Sequence, residues 1–395
     1  MQIGIFEQFG PTKSPFVSVE EIVSSTKTQN SQSIKRKQKL HFSAKQASAS
    51  SFFAVYISRF RMAAGSESSP VSESKEDDLS STILDLTSFQ LHDLDSIELP
   101  SSLTELDLTA NRLSTLDPRI GELSNLKKLS LRQNLINDAA VESLSHWNAL
   151  SGLEELVLRD NQMTKIPDAS IFKKLLVFDV SFNEITSLHG LSKVSNSLKE
   201  LYVSKNEVAK MEELDHFLQL QILELGSNRL RVMENIENLT NLQELWLGRN
   251  RIKAVNLCGL KCLKKISLQS NRLTSMTGFE DCVALEELYL SHNGISKIEG
   301  LSTLVNLRIL DVSSNKLTSV SDIQNLTCLE DLWLNDNQIE SLETIAEDVT
   351  GSREKLTTIY LENNPCAKTP NYRARLRQIF PNVQQIDSEI FTKNF

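Results

Sequence analysis

The chain is short of most of what chemistry-bearing proteins display. Five cysteines (Cys258, Cys262, Cys282, Cys328, Cys366) in 395 residues are odd in number and lack paired ligand spacing. That pattern argues against a disulfide framework or a structural zinc site and points to a reduced, intracellular protein. The six histidines (His41, His92, His146, His189, His216, His292) are scattered, with none at ligand spacing from a Cys or Asp. Phosphate-loop, nucleophile-elbow and kinase signatures are missing. No catalytic residue, metal or cofactor is therefore expected, and an enzyme is not. Thirteen glycines and nine prolines are too few for a collagen-like or low-complexity chain. No apolar run approaches a membrane span; the best, Phe52-Phe53-Ala54-Val55-Tyr56-Ile57, is also too weak for a signal peptide.

Charge is unevenly spread. Residues 1–61 hold nine Lys/Arg and three Asp/Glu, whereas the remainder holds 33 basic and 48 acidic residues. So acidic a folded part repels a phosphate backbone, which speaks against direct nucleic-acid binding. Residues 1–61 read as a basic, Ser-rich, unstructured extension, and residues 62–80 as an acidic disordered segment. Three readings compete for the extension. It is a transit peptide, a nuclear-import segment around Lys35-Arg36-Lys37-Gln38-Lys39, or an upstream extension of the gene model with Met62 as the usual start. The third is favoured, since Glu7, Glu20 and Glu21 count against a transit peptide.

What the chain does have is a period. Twelve segments fit Leu-x-x-Leu-x-Leu-x-x-Asn-x-Leu, with other aliphatics allowed at the Leu positions; their asparagines are Asn111, Asn134, Asn161, Asn183, Asn206, Asn228, Asn250, Asn271, Asn293, Asn315, Asn337 and Asn364. Most spacings are 21–23 residues and two are 27. A degenerate unit precedes them, with Phe89 22 residues before Asn111. The Leu-x-Leu core alternates with period two, which makes a short strand, and repeats of this length must stack in parallel. After Asn293 the aliphatics Ile295, Ile298, Leu301, Leu304 and Leu307 recur every three residues, as 3₁₀ turns require. The expected fold is an α/β leucine-rich-repeat solenoid over residues 81–366, with 3₁₀ or irregular turns on the convex side and α-helix favoured in the two 27-residue units. The asparagines should point inward and satisfy backbone groups at the end of each strand. A C-terminal cap is expected over 367–390, with an amphipathic helix from Tyr372 to Phe380, a stop at Pro381 and a last strand near Ile386.

The informative surface is the concave face. The residues four before each asparagine are Asp107, Ser130, Val157, Asp179, Tyr202, Glu224, Trp246, Ser267, Tyr289, Asp311, Trp333 and Tyr360. Five of these twelve are aromatic in a chain that is 6% aromatic, and none is Phe. The row two residues earlier adds Glu105, Glu155, Glu200, Glu244, Glu287 and Asp331. Strand propensity alone would favour Tyr and Trp, but not the accompanying acids. Aromatics with polar handles beside carboxylates suit a protein-binding surface.

With these residues in view, the chain resembles the leucine-rich regulatory subunits of type-1 protein phosphatase. The resemblance rests on Leu223-Glu224-Leu225-Gly226-Ser227-Asn228-Arg229, on Leu288-Tyr289-Leu290-Ser291-His292-Asn293-Gly294, and on the cap from Asn364-Pro365 to Asp387. It covers roughly residues 80–390. It implies a non-catalytic subunit, monomeric within a hetero-complex, that holds the phosphatase catalytic subunit on its concave face and governs its maturation, targeting or specificity in nucleus and cytoplasm. The positions carried over by register are Asp179, Tyr202, Glu224, Trp246, Asp311, Asp331, Trp333 and Tyr360; Tyr289 joins them from the aromatic stripe. The chain lacks a basic-Val/Ile-x-Phe/Trp docking peptide, so binding would rest on the folded surface. The rival reading is a leucine-rich scaffold in a ribonucleoprotein complex, whose co-purification would depend on RNA.

Overall fold

The computed structural model describes residues 82–391 apart from residue 258. The two expected N-terminal segments and Cys258 lie outside the described residues. From Ile83–Asp85 to Thr358–Tyr360, thirteen three-residue strands follow one another, each bonded in parallel to the next. A fourteenth strand at Gln385–Ile386 continues the sheet, and Glu389–Ile390 pairs antiparallel to it and closes the edge. The middle residue of each three-residue strand points into the core, as do the leucines on either side, and nearly all are completely buried. Burying so many aliphatic side chains in one continuous column is the main stabilising term.

The expected asparagine ladder is present and its bonding is explicit. Asn228 is typical. Its amide nitrogen donates to the carbonyls of Leu225 (3.0 Å) and Gly226 (3.3 Å) in its own coil and of Val203 (2.9 Å) in the coil before. Its oxygen accepts the Val208 N–H of that preceding coil at 3.0 Å. To swing the asparagine inward, the residue before it adopts a left-handed backbone in all twelve coils, with φ of 52–60°. None of the twelve is glycine; Phe182, Arg249 and His292 are among them. Such a conformation costs a non-glycine residue about 1–2 kcal/mol, and the amide bonds made by the following asparagine offset it.

The degenerate first unit forms a full coil, since Asn111 bonds back to Leu86 O and Leu91 N. Phe89 does not replace the asparagine. It is 63% exposed, because an aromatic ring offers nothing to the backbone groups that the ladder serves. At the other end Asp387 takes the ladder position and accepts the N–H groups of Leu361 (2.8 Å) and Glu362 (2.9 Å), with the Tyr372 hydroxyl also donating to it. The cap helix runs Tyr372–Ile379. Short helices Asp138–Val141 and Leu342–Asp348 fall in the two 27-residue units, as their length allows. Elsewhere the outer face is made of 3₁₀ segments and turns. No helix among the described residues is long and apolar enough to cross a membrane.

Candidate functional site

Parallel pairing is in register throughout. The stripe residues are direct cross-strand partners in unbroken succession, from Asp107 against Ser130 to Trp333 against Tyr360. All nine expected site residues therefore lie on one face of one sheet, opposite the leucines. Eight belong to the stripe itself, and Asp331 to the neighbouring row.

Their accessibility is not uniform. Trp246, Trp333, Tyr360, Glu224 and Asp331 are half-buried, whereas Asp179, Tyr202, Tyr289 and Asp311 are buried. Lying on the open face therefore does not make every ring equally accessible. Neighbouring strands are about 4.8 Å apart, so long side chains lie across their neighbours. Tyr289 and Trp333 stand two coils apart, yet their ring centroids are 6.3 Å apart, over the intervening Asp311. Trp333 meets Tyr360 edge-on at 5.9 Å. The Tyr360 hydroxyl accepts a bond from Gln385 of the cap. These three rings form one cluster. Trp246 stands apart from it, and Tyr202 is separated from Trp246 by Glu224.

The acids of the neighbouring row hold the aromatic handles. Tyr202 donates to Glu200 (2.7 Å), Tyr289 to Glu287 (2.9 Å) and the Trp246 indole to Glu244 (3.2 Å). Trp333 is the exception. Its indole nitrogen is buried without a partner. The residue two before it is Asp331, one methylene shorter than the glutamates, and that carboxylate takes the Thr357 hydroxyl instead. Burial raises the pKa of Asp331 and of Glu224 above the usual carboxylate range. The Tyr360 phenol is also raised, by burial first and by Asp331 next.

The stripe aspartates do internal work. Asp85, Asp107, Asp179 and Asp311 each accept the backbone N–H two residues on, at 2.9–3.0 Å. Asp179 also faces Arg159 at 3.8 Å, and Asp311 additionally takes the Ser313 hydroxyl and the Gln269 amide. Their carboxylates are thus committed within the chain. Arg159 lies over the Phe182 ring at 4.2 Å, with Lys205 at 5.8 Å from the same ring. This cation–π group was not foreseen. Its signal was the row two before each asparagine, which holds Arg159 and which the stripe reading passed over.

Of the described cysteines, Cys262 is exposed, while Cys282 and Cys366 are buried. Among the described residues no three of His, Cys, Asp or Glu converge as a metal site.

The repeat register agrees with two family models. "Leucine Rich repeats (2 copies)" matches residues 240–281, 261–303, 283–325 and 305–347, and "Leucine rich repeat" matches residues 101–154. Among solved structures, a leucine-rich-repeat protein of Leptospira interrogans superposes with a TM-score of 0.59 at 26% identity, over 73% of this chain and 80% of that one. The functional domain of InlJ from Listeria monocytogenes gives 0.60 at 22% identity, over 77% of this chain and 66% of that one; at this identity the likeness concerns the fold alone. A far nearer relative is the protein phosphatase 1 regulatory inhibitor subunit PPP1R7 homolog of Arabidopsis thaliana. It is 75% identical over 312 residues, which is 79% of this chain and 95% of that protein. The chain accordingly belongs to the PPP1R7 family of protein phosphatase 1 regulatory subunits.

Proposed function

We propose that this chain is a regulatory subunit without catalysis of its own, which binds the catalytic subunit of type-1 Ser/Thr protein phosphatase on the open face of its sheet. The 75% identity to a phosphatase regulatory inhibitor subunit over nearly all of that protein carries the reading. The geometry supports the choice of face. Trp246, Trp333 and Tyr360 are half-buried rings on a rigid sheet, and they anchor the partner with little ordering cost. Glu224 and Asp331 beside them receive Lys or Arg from the partner. Tyr289, its ring against Trp333, and Asp311 between them steady that anchor, whereas Asp179 and Tyr202 are buried further along the same face. The orphaned Trp333 indole N–H leaves the free chain with a buried unpaired donor, a cost of roughly 1–3 kcal/mol, which a small shift on binding would relieve. Through this contact the chain governs maturation, targeting or specificity of the phosphatase, in nucleus and cytoplasm.

The test is capture of the phosphatase catalytic subunit by the wild-type chain, by Trp246→Ala and by Trp333→Ala, with RNase-treated and untreated extract as parallel arms. Each substitution should weaken capture by about 2 kcal/mol or more, roughly thirtyfold, while the melting temperature stays close to wild type. Unchanged affinity in both variants refutes the docking face. Loss of all partners on RNase treatment would favour a ribonucleoprotein scaffold.

A further inference from the structure

The middle of the array runs against the charge of the whole. Residues 229–272 hold nine Lys/Arg and three Asp/Glu, in a region otherwise dominated by acids. Six of the nine flank the ladder asparagines: Arg229, Arg231, Arg249, Arg251, Lys253 and Arg272. The backbone brings them into a strip. Arg251 N bonds Leu230 O and Arg272 N bonds Ile252 O, both at 2.8 Å, so Arg229, Arg251 and Arg272 occupy equivalent places on three successive coils. Arg249 precedes its asparagine in the left-handed conformation, with φ of 57°. Only Arg229 has an ionic partner among the described residues, Glu207. Like charges one coil apart repel weakly in water, and among the described residues no carboxylate pairs with the other five.

A second feature falls on the same coils. Where an aspartate stands four before the asparagine, its carboxylate accepts the N–H two residues on, as Asp179 does from Ser181 at 2.9 Å. In the coils of Asn228 and Asn250 that position is Glu224 or Trp246, and the amides of Gly226 and Gly248 have no acceptor among the described residues. Neither glycine has a positive φ, so the backbone conformation does not demand glycine there. Close packing favours it instead, since a Cβ on Gly248 would lie 3.3 Å from Ser267 Oγ and one on Gly226 3.4 Å from Gly248 O; both amides lie beside the sheet face, one to three residues ahead of Arg229, Arg249 and Arg251. In four other coils the acceptor for this amide is a carboxylate. The same amide is also without an acceptor at Arg132, Gln269, Ser291 and Asn335 among the described residues, so what distinguishes Gly226 and Gly248 is the run of guanidinium groups alongside.

We propose that this strip is a docking site for an acidic or phosphorylated polypeptide segment. Carboxylate or phosphoryl oxygens of that segment would accept the Gly226 and Gly248 N–H groups and pair with Arg249, Arg251 and Arg272, whose planar guanidinium forks suit both groups. Three coils span about 10 Å, the reach of three or four extended residues. A nucleic acid is disfavoured, because its continuous phosphate backbone would also cross Glu200, Glu244 and Glu287 on the same sheet. A peptide can place its charges selectively. The site differs in chemistry and position from the aromatic anchors, so the chain would hold the phosphatase and a second, acidic ligand together.

The test uses the full chain and three fluorescein-labelled ten-residue peptides, Gly alternating with glutamate, phosphoserine or glutamine, followed by fluorescence anisotropy at low and moderate salt. The glutamate or phosphoserine peptide should bind at least tenfold more tightly than the glutamine peptide. Comparing the two acidic peptides separates carboxylate from phosphoryl recognition. Arg249→Glu combined with Arg251→Glu should abolish that preference and flatten the salt dependence, while the melting temperature remains near wild type because Arg249 is exposed, Arg251 is partly so and neither has an ionic partner among the described residues. Arg251→Lys should keep part of the affinity. Equal binding of the acidic and glutamine peptides, indifference to the double substitution, or tighter binding of a single-stranded RNA or of anionic vesicles would each overturn the proposal. No phosphatase enters the assay, so its failure is distinct from failure of the docking face.

Discussion

Removing one rung of the asparagine ladder has a cost that can be worked out bond by bond. In Asn228→Ala the three carbonyls that lose the amide nitrogen each keep another donor. Val203 O retains Asn206 at 3.1 Å, Leu225 O retains Asn250 at 2.9 Å, and Gly226 O retains Lys205 N at 2.9 Å. The Val208 N–H, by contrast, bonds only the Asn228 oxygen and becomes a buried orphan. An unmade buried donor costs about 1–3 kcal/mol and under-satisfied carbonyls less, so the whole change should cost roughly 2–3 kcal/mol. Asn228→Asp separates the two functions of the amide. The carboxylate still accepts Val208 N–H, but it then faces three carbonyl oxygens where a donor stood. Its folded-state pKa must rise above the unfolded value, so stability is fullest below the unfolded pKa and is lost as pH climbs through the folded one. At pH 8 Asn228→Asp should therefore be less stable than Asn228→Ala, and the gap should narrow or reverse near pH 5. Urea midpoints followed by circular dichroism at both pH values measure this. An Ala variant within about 0.5 kcal/mol of wild type, or an Asp variant indifferent to pH, would refute the ladder's energetic role.

Further outcomes follow from the same geometry. Asp331→Glu adds the methylene that lets Glu244 reach Trp246, so it should pair the Trp333 indole and stabilise the free chain by about 1 kcal/mol, read as a rise in the urea midpoint. Asp387→Ala strips the acceptor from Leu361 N–H and Glu362 N–H at the C-terminal end and should cost roughly 2–4 kcal/mol; an unchanged midpoint would mean that the cap does not hold the array closed. Glu213 is held at a pKa of about 2, chiefly by the Ser192 N–H, with Gly190 N–H and His189 assisting. Because its folded pKa is depressed, its contribution is present above the unfolded value and fades as pH falls toward 2. The melting-temperature gap between wild type and Glu213→Gln should accordingly be widest near pH 7 and shrink below pH 4.5; a constant gap would contradict the assignment.

Sequence and structure agree wherever one backbone rule repeats. An inward leucine or asparagine at a fixed offset needs only the period, and coil length decides where a helix fits, which is why Asp138–Val141 and Leu342–Asp348 fall in the two long units. The common face of Trp246, Trp333 and Tyr360 was legible for the same reason, because parallel strands in register cannot turn equivalent positions to opposite sides. What the period does not carry is reach across coils. Whether Tyr289 is exposed depends on Trp333 two coils away, and no offset within one repeat reports that. The closing strand Glu389–Ile390 was hidden because it pairs only once, outside the repeat.

The sharpest lesson concerns single methylenes. An acid in the stripe looks alike in a sequence whether it is Asp or Glu, yet Asp179 and Asp311 reach the amide two residues on, and Glu224 does not. In the neighbouring row the advantage reverses, for Glu244 reaches an indole that Asp331 leaves unpaired. Counting acids as one class therefore mixes carboxylates that hold the fold with carboxylates left for a partner. Sorting them by length and offset instead assigns Asp179 and Asp311 to the turn and leaves Glu224 and Asp331 beside the exposed rings. It also places Gly226 and Gly248 among the coils whose turn amide no aspartate caps. The same rule that explains four capped coils thus yields both the face argued for the phosphatase and the uncapped strip beside it, and a failure of the Asp-to-amide rule in mutagenesis would weaken both.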